Sequence, residues 1–220
     1  MSREANQMVQ DGVDVIRSLR AVTSKYSKEE RAAFMATQKA LLEAVERVKV
    51  FDLALKEATA RVMLADEALD DACRDLAKAL ASEGFDRFNP FKVFGFLAPS
   101  DFTDLDRSTQ ATGALTLAKR IAAHADTKAG SRKAASLVAI KAQVTLDAEV
   151  ARSDASLAHT QAIVQRDQTL PNEWQAAVTA LRAAIRYGDL KEKTSHYATV
   201  FSALIKPTPK KKKKTDEPVN

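Results

Sequence analysis

Few residues in this 220-residue chain have the types and spacing that a chemical site requires. The strongest candidate is a run of carboxylates that includes Asp66, Asp70 and Asp71, because clustered carboxylates bind divalent metals. A carboxylate metal centre in a helical bundle also needs a Glu-x-x-His pair on another helix, and the sequence contains none. We therefore interpret these residues as a solvated acidic face and predict no metal site.

The histidines and the single cysteine also lack companions at catalytic spacing. His124, His159 and His196 are far apart in the chain, so we expect surface or seam positions for them. Cys73 follows Ala72 on a predicted helix seam, which favours a small buried side chain over a nucleophile and leaves no intrachain disulfide. No glycine-rich phosphate loop and no nucleophile elbow occur. We predict a non-enzymatic protein with no catalytic residues and no cofactor.

Composition favours an all-α fold. Hydrophobic residues make up 45% of the chain, whereas six glycines and six prolines are too few for the frequent turns of a sheet protein. No apolar run reaches the roughly 18 residues of a spanning helix, and the N-terminus lacks a signal-peptide pattern. With one cysteine, these features predict a cytoplasmic protein, or a nuclear one if the chain is eukaryotic, with any membrane contact peripheral.

The positive charge is concentrated at the C-terminus. Of the net charge of +5, residues 206–220 carry +4, from six lysines against Asp216 and Glu217, so the rest of the chain is nearly neutral. We predict that 206–220 is a disordered tail that could bind an anionic membrane, granule or nucleic-acid surface, and that nucleic acid would be contacted through this tail alone. The predicted contacts are Lys210, Lys211, Lys212, Lys213 and Lys214.

A heptad pattern indicates one long helix over residues 27–83. Large apolar residues recur every seven positions, and three positions after most of them comes alanine, which allows close helix packing. The large residues are Phe34, Leu41, Val48, Leu55, Val62, Leu69 and Leu76. Ser27 with Glu30 has the spacing of a capping box, and Gly84 suits the left-handed residue after a helix.

Three further helices complete the predicted bundle. A short amphipathic helix occupies 1–26, with a stripe from Met8 through Val15 to Val22. A long helix covers 108–169, weakened but continuous at Gly130, with Leu137, Ile140, Val144, Ala148 and Ala151 on its seam. Pro171 is expected to end that helix and to begin the last one, 172–205.

We predict that the two long helices are antiparallel, with facing residue numbers that sum to about 191. Leu55 would then lie near Ser136, and the acidic run from Asp66 to Asp75 would face Lys119, Arg120 and His124. Since the other two helices are shorter, the expected fold is an elongated antiparallel coiled coil: a four-helix bundle from which a two-helix arm protrudes.

The loop between the long helices, 84–107, holds six of the nine phenylalanines in the chain. One interpretation is a local core that closes the end of the helix pair, and the other is an exposed patch that contacts a partner. The predicted partner-binding residues are Phe85, Arg87, Phe88, Phe91, Lys92, Phe94 and Phe96.

Two functions stay open at this point. The first is a structural or adaptor protein, a helical scaffold that self-associates and binds a protein through the phenylalanine-rich loop. The alternative is a peripheral protein that binds an anionic membrane, granule or nucleic acid through its N-terminal helix, this loop and the lysine tail. A short leading helix before a long coiled coil resembles the architecture of crescent-shaped membrane-curving dimers and of granule-coating phasins, and this resemblance implies the second function.

Overall fold

The fold is all-α, as the composition predicts. A computed structural model describes residues 3–22 and 24–204, and within those ranges every regular element is helical. The chain divides into a first unit, Met1–Val48 with Ala162–Asn220, and a second unit, Lys49–Gln161. Among the described residues, no helix combines the length and the apolar character needed to cross a bilayer.

Seven α-helices occur in the described part of the chain. Their bounds are α1 Arg3–Leu19, α2 Lys28–Ser82, α3 Pro99–Thr103, α4 Arg107–Ala123, α5 Ala129–Val164, α6 Leu170–Glu192 and α7 His196–Val200. Short 3₁₀ turns cover Lys25–Ser27, Lys92–Phe94 and Ser202–Leu204, and a π-helical turn covers Gln165–Thr169.

Helix α2 follows the heptad pattern almost to its predicted ends. Its 55 residues bury most of the large seam positions, with Phe34, Leu41 and Leu69 fully inaccessible to solvent. Gly84 has φ of 104°, so the predicted left-handed residue after the helix is confirmed. At the other end Ser24 accepts a hydrogen bond from the Tyr26 amide. The Ser27 hydroxyl donates to the Ser24 carbonyl 3.4 Å away.

The prediction of one continuous helix over 108–169 is wrong, because this segment forms two helices. The break lies at residues 124–128, ahead of Gly130, where His124 turns the backbone to an extended conformation. The Thr127 hydroxyl donates to the carbonyls of Ile121 and His124, each 2.8 Å away, and so adds to the 3.2 Å bond that the His124 amide donates to the Ile121 carbonyl. Glycine at 130 is accommodated inside the first turn of α5.

Glu83 determines where α5 begins. Its carboxylate accepts hydrogen bonds from the amides of Lys128 and Ser131, both at 2.8 Å, and from the Ser131 hydroxyl at 2.6 Å. Burial of the carboxylate opposes ionisation, but these hydrogen bonds outweigh it and hold the pKa of Glu83 below its usual range. One side chain therefore links the end of α2 to the first turn of α5.

Pro171 does not end a helix, contrary to prediction. The chain runs from α5 into α6 through a π-helical turn, in which the Leu170 amide donates to the Gln165 carbonyl. Proline has no amide hydrogen to donate four residues back, and a wider turn with bonds to the fifth residue accommodates that loss. Within this turn the buried Arg166 guanidinium forms two hydrogen bonds of 2.7 Å to Asp167. No hairpin forms at Pro171, so the last predicted helix does not fold back on α5.

The long helices are antiparallel as predicted, but in a different register. In the second unit the Thr145 hydroxyl donates to the Ala65 carbonyl at 3.2 Å, whereas the predicted register placed Asp126 opposite Ala65. In the first unit Trp174 reaches Gln38 with a 2.6 Å hydrogen bond. The predicted register was wrong because it assumed that the loop after α2 turns directly into the antiparallel helix.

The predicted arm contained two helices, and the structure adds a third one, α4. Arg107 forms an ion pair with Asp66 at 2.8 Å, and Gln110 donates to Asp70 at 2.6 Å. Since residue numbers rise together along this contact, α4 runs parallel to α2. The second unit therefore contains a three-helix section of α2, α4 and α5. The predicted pairing of the acidic run with Lys119, Arg120 and His124 is wrong, because the start of α4 lies beside that run.

The first unit packs α1, the start of α2 and α6 around one core. The stripe of α1 is buried as its spacing indicates, with Met8, Val15 and Leu19 in this core. Helix α6 ends at Lys193, whose φ is 53°, earlier than the predicted helix to 205. Asp189 then accepts hydrogen bonds from the amides of His196 and Tyr197, both at 2.9 Å, and begins α7.

Gln38 joins three helices inside the first unit. Its side-chain amide donates to the Val9 carbonyl of α1 at 2.8 Å and accepts from the Trp174 indole of α6 at 2.6 Å. Gly12 is its neighbour on α1, and a methyl group at that position would overlap the Gln38 carboxamide. Glycine is therefore required here by a close approach of side chain to backbone.

The Gly12 substitution should depend on Gln38. We expect Gly12→Ala to destabilise the protein, because the added methyl group forces the Gln38 carboxamide away from the Val9 carbonyl and the Trp174 indole. Each buried polar group left without its hydrogen bond costs about 1–3 kcal/mol. In a Gln38→Ala background the same change should be neutral or stabilising by up to about 1 kcal/mol, since alanine is the better helix former. Urea unfolding followed by circular dichroism measures all four proteins, and an equal cost in both backgrounds would contradict this packing.

Glu83 should make stability depend on pH. Its folded pKa is lowered, so its stabilisation is present above the usual glutamate pKa of about 4.3 and is lost as pH falls through the folded value. Glu83→Gln should lower the melting temperature at neutral pH, and the gap to the unmodified protein should narrow in acid. Glu67→Gln, an exposed carboxylate on the same helix, is the control. A gap that stays constant with pH would show that Glu83 ionisation does not stabilise α5.

Candidate protein-docking site

The phenylalanine-rich loop returns the chain along α2. It leaves the end of α2 at Ser82 and delivers Arg107 to the level of Asp66, which at 1.5 Å per residue is about 24 Å back along the helix. On the way it forms the 3₁₀ turn and the short helix α3. Asp106 caps α4 by accepting from the Thr109 amide at 3.1 Å. The length of the loop follows from this return path.

Three phenylalanines of the loop are core residues of the second unit. Phe91, Phe94 and Phe102 are 4% exposed or less, and Phe91 meets Phe102 edge to face with ring centroids 5.9 Å apart. The helices around them contribute many small side chains, which leave room for large rings. The alanines of this core are Ala72, Ala111, Ala114, Ala118, Ala135 and Ala142.

Polar contacts hold the backbone of the loop in one conformation. The Asp86 carboxylate accepts from the amides of Phe88 at 2.8 Å and Asn89 at 3.2 Å, and these bonds hold the pKa of Asp86 below its usual range. Arg120 of α4 donates to the Phe94 carbonyl at 2.6 Å, and Gly95 turns the chain with φ of 77°. The exposed side chains of the loop are therefore presented from a well-supported backbone.

Aromatic contacts tie the two ends of the loop to α4. His124 packs edge to face against Phe94 and Phe85, with ring centroids 5.2 and 5.9 Å apart. Phe96 lies between Phe102, at 5.8 Å, and the Arg120 guanidinium, at 5.2 Å. Phe85 and Phe96 are consequently half-buried and join the edge of the core.

Three apolar side chains of the loop are exposed. Phe88 is 88% exposed, and Val93 and Leu97 are also largely exposed. Val93 also lines a surface cleft of about 340 Å³, together with Phe85, Asp86, Asn89, Pro90 and Lys92. Inside this region Asn89 Oδ1 is buried and has no hydrogen-bond partner among the described residues. We name this surface, Phe88 with Val93, Leu97 and the cleft, the loop rim.

The structure separates the predicted binding residues into three groups. Phe91 and Phe94 are core residues and cannot contact a partner, which corrects the prediction for both. Phe85 and Phe96 are half-buried. Exposed at the loop rim are Arg87, Phe88 and Lys92. The predicted contacts Lys210, Lys211, Lys212, Lys213 and Lys214 lie outside the described residues.

Sequence reasoning missed Val93, Leu97 and Asn89. Val93 and Leu97 stand between aromatic neighbours, so nothing in the spacing marks them as more exposed than Phe91 or Phe94. Asn89 becomes notable only once the fold buries its carbonyl oxygen without a donor. Neither feature follows a periodic pattern, which is why heptad reasoning could not find them.

Reactive chemistry has little support elsewhere in the molecule. Burial raises the pKa of the Cys73 thiol to about 12, with a smaller contribution from Asp70, so the thiol stays protonated. Two members of the acidic run, Asp66 and Asp70, are engaged by Arg107 and Gln110. Within residues 3–22 and 24–204, no three metal-ligating side chains come close enough to hold an ion.

No protein-family model, no curated protein and no solved structure matches this chain. The comparisons therefore assign neither a family nor a function.

Serine substitutions should separate the core of the loop from its rim. Phe91→Ser should lower the free energy of unfolding by about 3–5 kcal/mol, because it removes a fully buried ring. Phe88→Ser should change it by no more than about 0.5 kcal/mol, since the ring is exposed. Thermal and urea unfolding followed by circular dichroism measure both. Equal stability of the two variants would contradict the assignment of Phe91 to the core.

Proposed function

We propose that this chain is a non-enzymatic helical scaffold or adaptor that docks a protein partner on its loop rim. The observation that carries the proposal is the exposure of Phe88, at 88%, on a loop whose other aromatic side chains are buried or half-buried. A phenylalanine exposed on a loop that also exposes Val93 and Leu97 is typical of a contact surface.

Preorganisation favours a role in binding. The Phe88 amide is held by Asp86, and the neighbouring turn is held by Arg120 and by the buried Phe91 and Phe94 rings. A side chain presented from an ordered backbone loses little conformational entropy when a partner covers it. Aromatic residues in such positions contribute a large share of interface energy. Phe88 therefore has the properties of an anchor residue.

The chemistry of the rim indicates what a partner would offer. Phe88, Val93 and Leu97 require apolar side chains, and Asn89 Oδ1 requires a hydrogen-bond donor such as a backbone amide. Arg87 is exposed and forms no ion pair in the described part of the chain, so it favours an acidic side chain at the edge of the contact, whereas the charge of Lys92 already acts on Asp86. An extended or helical segment that is apolar with flanking acidic residues meets all three requirements.

The alternative function, binding to an anionic surface, has less support. It relied on the N-terminal helix as a membrane-inserting element, but the apolar side chains of α1 lie in or against the core of the first unit, except Val13, which is 41% exposed. Of its three proposed contacts, the loop rim and the lysine tail remain. A protein partner at the rim is therefore the function that we put forward.

Photo-crosslinking tests the proposal directly. The photoreactive residue p-benzoylphenylalanine replaces Phe88 in the full chain, and in a control chain it replaces Leu190, which is 81% exposed but lies in the first unit. After irradiation in cells of the natural source, we expect a discrete protein adduct from position 88 and not from position 190. The captured protein is then purified and its affinity for the unmodified chain is measured by calorimetry.

Matched substitutions complete this test. The double variant Phe88→Ser, Val93→Ser should bind the captured protein at least about tenfold more weakly, as expected for loss of an aromatic anchor. Leu190→Ser should leave the affinity for the captured protein unchanged. No adduct specific to position 88, or equal binding by both variants, would contradict the proposal. Sedimentation with phosphatidylserine vesicles tests the alternative, which gains support if a chain that ends at Ile205 still binds them and Phe88→Ser removes that binding.

A further inference from the structure

The outer face of α5 in the second unit is unexpectedly apolar. Leu137, Ile140 and Val144 follow one another at spacings of three and four and are 45%, 60% and 49% exposed. The inner face of the same stretch buries Ala135, Val138, Ala142 and Thr145. The second unit therefore uses the smaller residues of α5 for its own core and leaves the larger ones outside. Burying apolar surface is favourable, so this arrangement points to a contact that the single chain does not make.

The exposed stripe has the pattern of a coiled-coil seam. It continues from Val144 to Ala148 and Ala151, again at spacings of four and three, and Ala151 is exposed. Side-chain size falls along the stripe, from leucine and isoleucine at its start to alanine at its end. A helix with this gradient fits a partner whose gradient runs in the opposite direction.

We infer that this face of α5 binds a second copy of this chain, with the two α5 helices antiparallel and centred on Val144. In that alignment Leu137 of one copy lies against Ala151 of the other, and Ile140 lies against Ala148. Large side chains meet small ones in the layers on either side of the symmetry axis, which allows the interdigitation that close helix packing requires. The two Val144 side chains meet at the symmetry axis.

Charge supports the same alignment. Lys133 lies before the apolar stripe and Asp154 lies after it, and both are exposed with no ion-pair partner in the described part of the chain. Because the midpoint between them is beside Val144, the antiparallel arrangement places Lys133 of each copy next to Asp154 of the other. A parallel arrangement would instead place lysine beside lysine and aspartate beside aspartate, which is unfavourable.

The size of the contact indicates a reversible dimer. Residues 133–154 span about 33 Å of helix, roughly three heptads, and alanine supplies part of the seam. A helix pair of this size buries less surface than permanent interfaces do, so we expect a dimer that dissociates on dilution. The inference is independent of the proposed function, since the loop rim takes no part in it.

Sedimentation velocity and light scattering on the full chain test this inference. Between low micromolar and several hundred micromolar protein, the mass should rise from the 24.0 kDa of one chain towards twice that value. Val144→Glu should remain at the monomer mass at every concentration, with helical content and melting temperature unchanged because the side chain is at the surface. Leu157→Glu, an equally exposed position on the same helix outside the stripe, should still dimerise.

A charge exchange tests the antiparallel alignment. Lys133→Asp and Asp154→Lys should each raise the dissociation constant several-fold, and the double variant should restore it, because both symmetry-related pairs are re-formed. Monomeric mass throughout the concentration range, or dimers of Val144→Glu, would overturn the inference. A double variant that is weaker than either single variant would overturn the alignment.

Discussion

The fold of the second unit depends on a balance of side-chain volume. Its helices contribute leucines such as Leu69 and Leu117 but also six alanines, which allow close approach and fill little space, and Phe91, Phe94 and Phe102 of the connecting loop fill part of the same core. The loop is thus a packing element of the bundle. The same requirement explains Gly113 of α4, where an added methyl carbon would come 3.1 Å from the Phe102 ring.

Single polar side chains fix the register between helices, which the apolar seams leave open. Heptad seams favour helix pairing but tolerate sliding, whereas a buried hydrogen bond is satisfied in one register only. Glu83 specifies the start of α5, Thr145 anchors it to the α2 backbone, and Gln38 does the same for three helices of the first unit. Within the second unit, Glu83 and Thr145 together fix the position of α5 along α2.

The sequence predicted the elements better than their connections. Helix α2, its left-handed end at Gly84 and the buried stripe of α1 follow from local periodicity and turn chemistry, which act over a few residues. The break at 124–128 depends on Glu83, which is distant in sequence, and so no local signal reveals it. The predicted seam of this helix, with Leu137, Ile140 and Val144, is wrong, because these side chains are exposed and α5 instead buries Ala135, Val138 and Ala142. Periodicity could not show which of two faces of α5 turns inward. The phenylalanine-rich loop was uncertain for the same reason, because composition alone cannot divide six rings between core and surface.

The π-helical turn at Gln165–Thr169 has a consequence for how this chain can change in length. Each residue added to or removed from a continuous helix rotates everything after it by about 100°. Loss of one residue from this turn would swing Trp174 and Val178 away from α1 and α2, and Pro171 would then sit in a regular helix that it cannot continue. Insertions and deletions of single residues in this turn would therefore undo the packing of the first unit.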